Sequence, residues 1–375
     1  MRTLFLKIIF SLLCLGTIFA QERKLSENAF ISVLTCDTGN ELYSLFGHTG
    51  IRVSDRINGI DIVYNYGTFD FSTPNFYLKF SRGNLQYMAT ATTFDDFMSE
   101  YIHFHRGVYE QRLNIEPQQK QQIFDELNRV LQSESRFYTY KFIDRNCTTM
   151  VAEVLEQKLP VKFSLQVKDA SKTNRTILYD YLKDHFYENL GINILFGMNT
   201  DKNFDKIFLP LQLMESISVT KINGQPLSNA TETLNPKNNI KEQSVWNNYY
   251  TFTGFFILLL LLAKKEKVRI AYFSLFGLLG LFIIILATIS YHKELEFNYN
   301  LLLFNPFLLL LIWFIFKNAY QYIIVMSSIC LISVTIYIII MINKIQFVMF
   351  LPIIIVQIVF LYFTIKHTKT RHHIN

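Results

Sequence analysis

The chain has 375 residues, half of them hydrophobic, and its formal net charge is +6. Much of the positive charge lies beside long apolar segments, so it gives no indication of nucleic acid as a partner. Up to about Trp246 the composition is that of a globular domain, and the rest of the chain is predominantly apolar. We therefore expect a globular domain followed by a membrane region.

Residues 1–20 have the pattern of a secretory signal peptide. Basic residues precede a short apolar stretch, and Ala20 is a small residue at the expected cleavage point. The stretch is shorter than the ~20 residues that span a bilayer, although an uncleaved anchor stays open as an alternative. Export would place the next domain, residues 21–228, in the periplasm.

This domain has the pattern of an α+β fold. Period-two alternation and β-branched residues predict strands, and apolar residues at helical spacing predict helices. The predicted strands are Phe30–Leu34, Thr49–Val53 and Asp61–Tyr66, and the predicted helices begin at Glu116-Pro117, at Cys147 and near Thr176, the last one ending at Tyr187. Short strands near Ile217–Ile222 and a polar linker over residues 229–248 follow.

The C-terminal part predicts five membrane spans, each near the length that a bilayer requires. They cover about 249–263, 270–291, 301–316, 322–342 and 346–365. In a five-span arrangement eight Lys and Arg residues fall on one side and only Lys293 and Lys344 on the other. The positive-inside rule then places the tail, residues 366–375, in the cytoplasm and the N-terminal domain outside it.

Cys147 is the residue best suited to nucleophilic chemistry. It begins a predicted helix, where backbone N–H groups carry partial positive charge and favour the thiolate over the thiol. Upstream, His48 lies at the start of a predicted strand and provides an imidazole that could act as the base. Together these residues predict acyl transfer through a thiol.

A thiol–imidazole pair needs a third group that orients the imidazole and donors that stabilise an oxyanion. Asn65, on the strand expected beside that of His48, is the predicted orienting residue, and Asp70 is the second choice. Arg145 and Tyr43 are candidate donors in addition to the backbone of the helix start.

The other cysteines and histidines leave alternatives open. A Cys36–Cys147 disulfide is compatible with an oxidising periplasm and would silence the nucleophile. His103 and His105 alternate on a possible strand, but no carboxylate or cysteine stands at ligand spacing, so a metal site is not expected. No cofactor is expected either.

Three polar residues stand between the second and third predicted spans or just inside the third. His292, Asn300 and Asn305 are on the side expected to face the thiol. Because polar residues near membrane depth often have a functional role, they are candidate contacts for a lipid substrate. A solvated loop is the alternative interpretation.

Several motifs resemble the periplasmic domain of Lnb-type lipoprotein N-acyltransferases of Bacteroidota. The motifs are Leu34–Gly39, Ser44–His48, Tyr64–Phe71, Tyr138–Tyr140 and Asp144–Thr149, followed by Gly191-Ile192, Leu195–Gly197, Asp201 and the loop His292–Pro306. The order of histidine and cysteine is also similar to the circularly permuted papain-like fold of the lecithin:retinol acyltransferase group. That group usually has a second histidine as the orienting residue, and here no histidine follows His48 before His103.

The resemblance implies a bacterial inner-membrane enzyme with several spans and a periplasmic catalytic domain. His48 and Cys147 would form the catalytic dyad. The implied reaction moves an acyl chain from a phospholipid to the α-amine of the S-diacylglyceryl cysteine of a lipoprotein. A phospholipase or a cell-wall peptidase with the same dyad, or a non-catalytic membrane interaction module, are the alternatives.

Overall fold

A computed structural model describes residues 23–237 and 244–374 of the chain. It has a mixed α/β N-terminal region and a C-terminal bundle of apolar helices. This division agrees with the predicted change of composition near Trp246. The predicted signal peptide, residues 1–20, lies outside the described residues.

Antiparallel strands form the centre of the N-terminal region. They are β1 (Phe30–Cys36), β2 (His48–Asp55), β3 (Ile60–Thr68), β4 (Gln86–Thr93), β5 (Val108–Arg112), β6 (Phe137–Thr139), β7 (Lys221–Ile222), β8 (Gln225–Pro226) and β9 (Glu232–Asn235). Seven of them form one sheet in the order β6-β4-β3-β2-β1-β5-β9, while β7 and β8 form a separate hairpin. The strands β1, β2 and β3 are therefore central.

The N-terminal region also contains helices, some of which cover the two faces of this sheet. They are α1 (Phe76–Arg82), α2 (Phe94–His103), α3 (Pro117–Leu131), α4 (Cys147–Lys158), α5 (Asn174–Tyr181), α6 (Phe186–Leu195) and α7 (Pro210–Val219). The main core joins β1 and β2 to α3, α4 and α7, and a smaller core joins the other face to α2. Because β1 is covered on both faces, Val33 and Leu34 are both fully buried although they point in opposite directions.

Most predicted elements of this region are confirmed. The three predicted strands correspond to β1, β2 and β3, each extended by a few residues. The helix with proline in its first turn is α3, and the helix that begins at Cys147 is α4. These elements have strong local signals, namely alternation, a proline at the helix start and a capping asparagine.

Other predictions for this region differ from the structure. The helix predicted over Thr176–Tyr187 is two helices, α5 and α6, separated by a polar turn, and Ile217 lies in α7 rather than in a strand. Pro210 starts α7, and the helix buries Ile217 against the main core. His103 ends α2 and His105 lies in the following loop, so the predicted strand there is wrong. Part of the predicted linker forms β9, which pairs with β5.

The C-terminal region contains α8 (Tyr249–Leu261), α9 (Glu266–Ile289), α10 (Phe307–Phe316), α11 (Tyr320–Met341) and α12 (Phe347–Ile374). Within the described residues, four helical stretches are long and apolar enough to cross a membrane: Glu266–Ile289, Lys293–Phe316, Tyr320–Met341 and Phe347–His372. Helix α8 has 13 residues. At ~1.5 Å per residue it covers roughly 20 Å, less than a ~30 Å hydrocarbon core. The first of the five predicted spans is therefore not confirmed.

One end of the helix bundle carries the N-terminal region. At that end Lys344 Nζ lies 2.7 Å from the Asp201 carboxylate, and Asp201 also pairs with the buried Arg175 of α5. At the opposite end Arg371 pairs with Glu266 at 2.8 Å. The loops at residues 290–306 and 342–346 thus face the sheet domain, while those at 262–265 and 317–319 lie at the far end.

Candidate active site

Cys147 is the first residue of α4, and the helix start around it is held firmly. Asn146 accepts a hydrogen bond from the backbone N–H of Thr149 at 3.0 Å, and Thr149 Oγ1 accepts one from the Asn146 N–H at 2.8 Å. The Asn146 amide also donates to the carbonyls of Phe142 and Phe208. This reciprocal cap fixes the thiol at the end of the helix that carries partial positive charge.

His48 begins β2 and lies beside this thiol. Its Nε2 atom is 3.1 Å from Oδ1 of Asn65 on β3. Gly50 leaves the space for this contact, because a Cβ atom there would stand 3.2 Å from the same oxygen. The imidazole also interacts with Cys147, through charge and a side-chain hydrogen bond. The structure thus brings together His48, Asn65 and Cys147.

The thiol and the imidazole shift each other's pKa in opposite directions. Burial raises the pKa of Cys147, but the charge of His48, its hydrogen bond and the backbone N–H of Thr49 outweigh burial, so the pKa of the thiol is lowered. Burial lowers the pKa of His48, but the charge and hydrogen bond of Cys147, with the bond from Asn65, raise it overall. Both shifts favour the thiolate–imidazolium pair over the neutral thiol and imidazole.

We predict that Cys147 is alkylated by iodoacetamide at a lower pH than an ordinary cysteine, because the thiolate forms above its lowered pKa. His48→Gln should shift this alkylation profile to higher pH, since the charge that favours the thiolate is removed while burial remains. The measurement is the alkylation rate of Cys147, followed by mass spectrometry from acidic to alkaline pH. Identical profiles for both proteins would contradict the pairing.

Tyr138 on β6 is a residue that the sequence did not single out for chemistry. Its side chain is buried, and within the described part of the chain its hydroxyl has no hydrogen-bond partner. A Cβ atom at Gly67, a residue with φ +97°, would lie 3.9 Å from this hydroxyl and 3.6 Å from Cys147 Cβ. Because glycine has no side chain, Gly67 leaves a gap between the Cys147 thiol and the unpaired hydroxyl of Tyr138. The alternation in Tyr138-Thr139-Tyr140 could have indicated a buried tyrosine, but not its partner.

The region that contains these residues matches a known family. Residues 20–183 match the family model described as the Lnb N-terminal periplasmic domain. The chain is an Lnb-type protein. Its N-terminal domain is periplasmic, and the helices long enough to cross a membrane follow the matched range. Comparisons with curated proteins and with solved structures give no match.

Cys36 of this Lnb-type protein differs sharply from Cys147. Both thiols are free, so the structure does not contain the alternative disulfide. Cys36 lies opposite His48 in the β1–β2 pairing, but it is fully buried, and burial raises its pKa to about 12. A thiol with such a pKa carries almost no thiolate near neutral pH, so Cys36 has the character of a core residue.

The remaining residues predicted near the dyad lie at its periphery. Asp70 accepts hydrogen bonds from the backbone N–H and the hydroxyl of Ser72 in an exposed turn, rather than contacting His48. Arg145 is exposed, with its guanidinium 5.3 Å from the centre of the Tyr138 ring. Tyr43 is also exposed, and its ring packs edge-on against Phe69. Substrate binding by Arg145 and Tyr43 stays a prediction.

The polar residues predicted between the spans contact three different parts of the protein. His292 Nε2 lies 3.1 Å from the carbonyl oxygen of Phe80 in α1. Asn300 is fully buried, donates to backbone carbonyls at the end of α6 and accepts from the Tyr337 hydroxyl. Asn305 donates to Ser333 of α11. The structure does not bring them together in one site, and their contact with a lipid stays a prediction.

Glu294 and Lys141 connect the bundle to the turn that precedes Cys147, a role that no local sequence signal indicated. The backbone N–H of Ile143 donates to Glu294 Oε1 at 3.2 Å. Lys141 Nζ donates to the carbonyls of Gly83 at 3.0 Å and Tyr291 at 2.8 Å. The loop after α9 therefore supports the turn from which the Cys147 helix begins.

No group of three or more potential metal ligands occurs among the residues that the structure describes. His103 and His105 are both exposed, and they belong to the end of α2 and to the loop after it.

Proposed function

We propose that this Lnb-type protein is a lipoprotein N-acyltransferase with Cys147 as its nucleophile. The observation that carries the proposal is the arrangement of Cys147 at a capped helix start, next to an imidazole that also contacts Asn65. Cys147 and His48 are only partly buried, so a substrate carbonyl can reach them. This arrangement has the parts that nucleophilic catalysis by a thiol requires.

In the first half-reaction the Cys147 thiolate attacks an ester carbonyl of a phospholipid. A C–S bond forms, and the ester C–O bond breaks when the tetrahedral intermediate collapses. The imidazolium of His48 gives its proton to the departing alkoxide, which leaves as lysophospholipid. The products are a thioester on Cys147 and a neutral His48.

In the second half-reaction the free α-amine of the diacylglyceryl cysteine attacks the thioester carbonyl. The new C–N bond forms the amide, the C–S bond breaks, and the amine proton passes through His48 to restore the starting pair. No water is consumed over the cycle. A thioester favours attack by an amine over attack by water more than an oxoester does, which suits a transferase.

Both tetrahedral intermediates carry an oxyanion that needs hydrogen-bond donors. The backbone N–H groups of Cys147 and Thr148, the first two residues of α4, have no acceptor within the helix and can donate. The Tyr138 hydroxyl, unpaired and adjacent to the gap at Gly67, is a further donor in this proposal. Its pKa is raised strongly by burial, so the phenol stays protonated and able to donate.

We predict that Tyr138→Phe slows acylation of Cys147 about tenfold, less than the loss from removing a principal oxyanion donor because the helix N–H groups remain. The iodoacetamide profile of Cys147 should stay near that of the wild type, since the hydroxyl acts on the oxyanion. The measurements are single-turnover thioester formation and the alkylation profile. Tyr87→Phe, a buried tyrosine beside Tyr138, is the matched control. Equal rates for Tyr138→Phe and the wild type would exclude this donor.

We propose the permuted papain-like arrangement for the catalytic domain. In support, the histidine strand β2 precedes the cysteine helix α4 in the chain, and the two pack against each other in the main core. Thr49 of β2 and Thr148 of α4 share a hydrogen bond of 3.1 Å beside the thiol.

We also propose five crossings of the bacterial inner membrane, with α8 as the first. In support, the Tyr249 hydroxyl at the start of α8 donates to the Val348 carbonyl near the start of α12. At the other end of α8, Arg269 bonds both the Ala263 carbonyl and Thr364 of α12. Helix α8 therefore runs beside α12 over the same depth. With the catalytic domain in the periplasm, the basic residues around 264–269 and 366–371 face the cytoplasm.

Analysis of the reaction products tests the proposal. Purified full-length protein is incubated with phospholipid vesicles and a synthetic S-diacylglyceryl cysteine lipopeptide, and the lipids are extracted. We expect lysophospholipid and N-acylated lipopeptide in equal amounts. Free fatty acid instead of acylated lipopeptide would indicate a phospholipase. Cleavage of a cell-wall peptide in a parallel incubation would indicate a peptidase. No turnover of any substrate would favour the non-catalytic module.

A further inference from the structure

Helix α1 exposes large apolar side chains although it belongs to the periplasmic domain. None of its residues is buried, and Tyr77 and Leu78 are 76% and 54% exposed. Phe80 and the preceding Phe71 are exposed as well. We name Phe71, Tyr77, Leu78 and Phe80 the α1 surface. Large apolar side chains exposed close together in the chain on a domain surface often mark an interaction site.

The position of α1 is fixed at the end of a membrane helix. The segment that directly follows α9 binds the last carbonyls of α1: Ser290 Oγ donates to Ser81 O at 2.8 Å, and the Tyr291 N–H donates to Arg82 O at 2.8 Å. Helix α9 ends at Ile289 and exposes apolar side chains along its length. The α1 surface therefore lies where the apolar exterior of the bundle ends.

Basic side chains accompany these apolar ones. Lys79 and Arg82 are in the last turn of α1, and Lys293 is exposed just after α9. The ammonium group of Lys293 lies 3.8 Å from the carboxylate of the exposed Asp144. Aromatic residues with lysine and arginine beside them are typical of helices that lie in the boundary between lipid headgroups and acyl chains.

A chain of aromatic contacts runs from the α1 surface towards the thiol. Phe71 packs on Phe76 with ring centres 4.8 Å apart and on Phe69 at 5.0 Å. Phe69 contacts Tyr87 at 5.3 Å, and Tyr87 contacts Tyr138 at 6.4 Å. Tyr138 borders the gap beside Cys147. These ring contacts form a continuous row, which we name the aromatic path, from the α1 surface to the residue that borders the thiol.

We propose that α1 is an interfacial helix whose α1 surface lies in the periplasmic leaflet, and that the donor phospholipid leaves the bilayer along this aromatic path to reach Cys147. The proposed contact with lipid depends on the position of α1 alone. The proposed entry of the donor phospholipid at this surface rests, in addition, on the proposed acyl transfer. Bilayer lipid is the proposed binding partner of the α1 surface, because this surface continues the apolar exterior of α9.

Fluorescence quenching tests the lipid contact. The chain has two tryptophans, Trp246 and Trp313, which are both replaced by phenylalanine. Leu78→Trp is compared with Ile57→Trp. Ile57 is 67% exposed and lies just after the end of β2, whereas His48 is at the start of that strand. Each full-length protein is placed in vesicles containing lipids brominated on the acyl chain. We expect quenching of Leu78→Trp at a depth of about 5–10 Å and none of Ile57→Trp.

Equal quenching at the two positions would overturn the proposal. A second result would also overturn it. If the emission of Leu78→Trp responded to an acceptor lipopeptide in detergent but not to brominated lipid, the α1 surface would bind peptide rather than lipid. These results do not depend on catalysis.

A second measurement tests substrate entry. Leu78→Gln should slow Cys147 acylation by vesicle phospholipid several-fold more than acylation by a water-soluble short-chain thioester, whereas Ile57→Gln should affect neither. An equal loss with both donors would overturn the entry path. If the wild type forms no thioester with either donor, the acyl-transfer proposal fails, and the quenching result still decides the lipid contact.

Discussion

Cys147→Ala is expected to abolish both the acyl-enzyme and the transfer of acyl chains to lipopeptide. The thiolate is the only group in the site that can form the thioester, and the half-reactions cannot proceed without it. Cys147→Ser should be almost as inactive, because a hydroxyl at this position has a far higher pKa than the thiol and His48 is tuned to a thiolate. The measurement is intact-protein mass spectrometry after incubation with phospholipid, together with the yield of N-acylated lipopeptide.

Cys36→Ser is the matched control for this prediction. Cys36 is also a free cysteine close to His48 in the sheet, but it is buried and its pKa is raised to about 12. We expect Cys36→Ser to keep the acyl-enzyme and to lose activity only modestly, in proportion to its effect on the core. Acyl transfer by Cys147→Ala at the wild-type rate would refute the mechanism.

His48→Gln is expected to lower the rate of acyl transfer roughly 10²- to 10⁴-fold, the range of a general acid–base group. Two effects combine in this variant. The thiolate loses the charge that lowers its pKa, and neither the alkoxide nor the amine has a proton partner. Single-turnover thioester formation and lipopeptide acylation measure the two half-reactions separately, and both should fall.

His105→Gln provides the comparison for His48→Gln. His105 is exposed in the loop after α2, so its replacement should leave both half-reactions at the wild-type rate. If instead His105→Gln lost activity and His48→Gln kept it to within a few-fold, another residue would be the base. Thermal unfolding of each variant should accompany the kinetics, because His48 is part of the packed sheet.

Asn65 is expected to contribute less to the reaction than Cys147 and His48. Its Oδ1 contact with Nε2 of His48 sets the orientation of the ring but carries no full charge. A carboxylate in the same place would raise the pKa of His48 further and hold the thiolate in a tighter pair. We infer that the amide keeps the imidazolium acidic enough to return its proton to the alkoxide.

Elements with local signals could be predicted from the amino-acid sequence. The alternation in β1 to β3 and the proline at the start of α3 each reflect backbone preferences within a few residues. Asn146 and Thr149 cap the start of α4 by bonding to each other. The position of Cys147 at this helix start could therefore be predicted from neighbouring residues. The composition change near Trp246 likewise separated the globular domain from the apolar helices.

Contacts between distant segments were decided only by the tertiary structure. Cys36 and Cys147 are the same residue type, and only their surroundings give one a raised and the other a lowered pKa. The unpaired hydroxyl of Tyr138 and the support of Ile143 by Glu294 join residues far apart in the chain. A linear sequence records no such distances, because burial, hydrogen-bond pairing and electric fields arise when separate elements pack together.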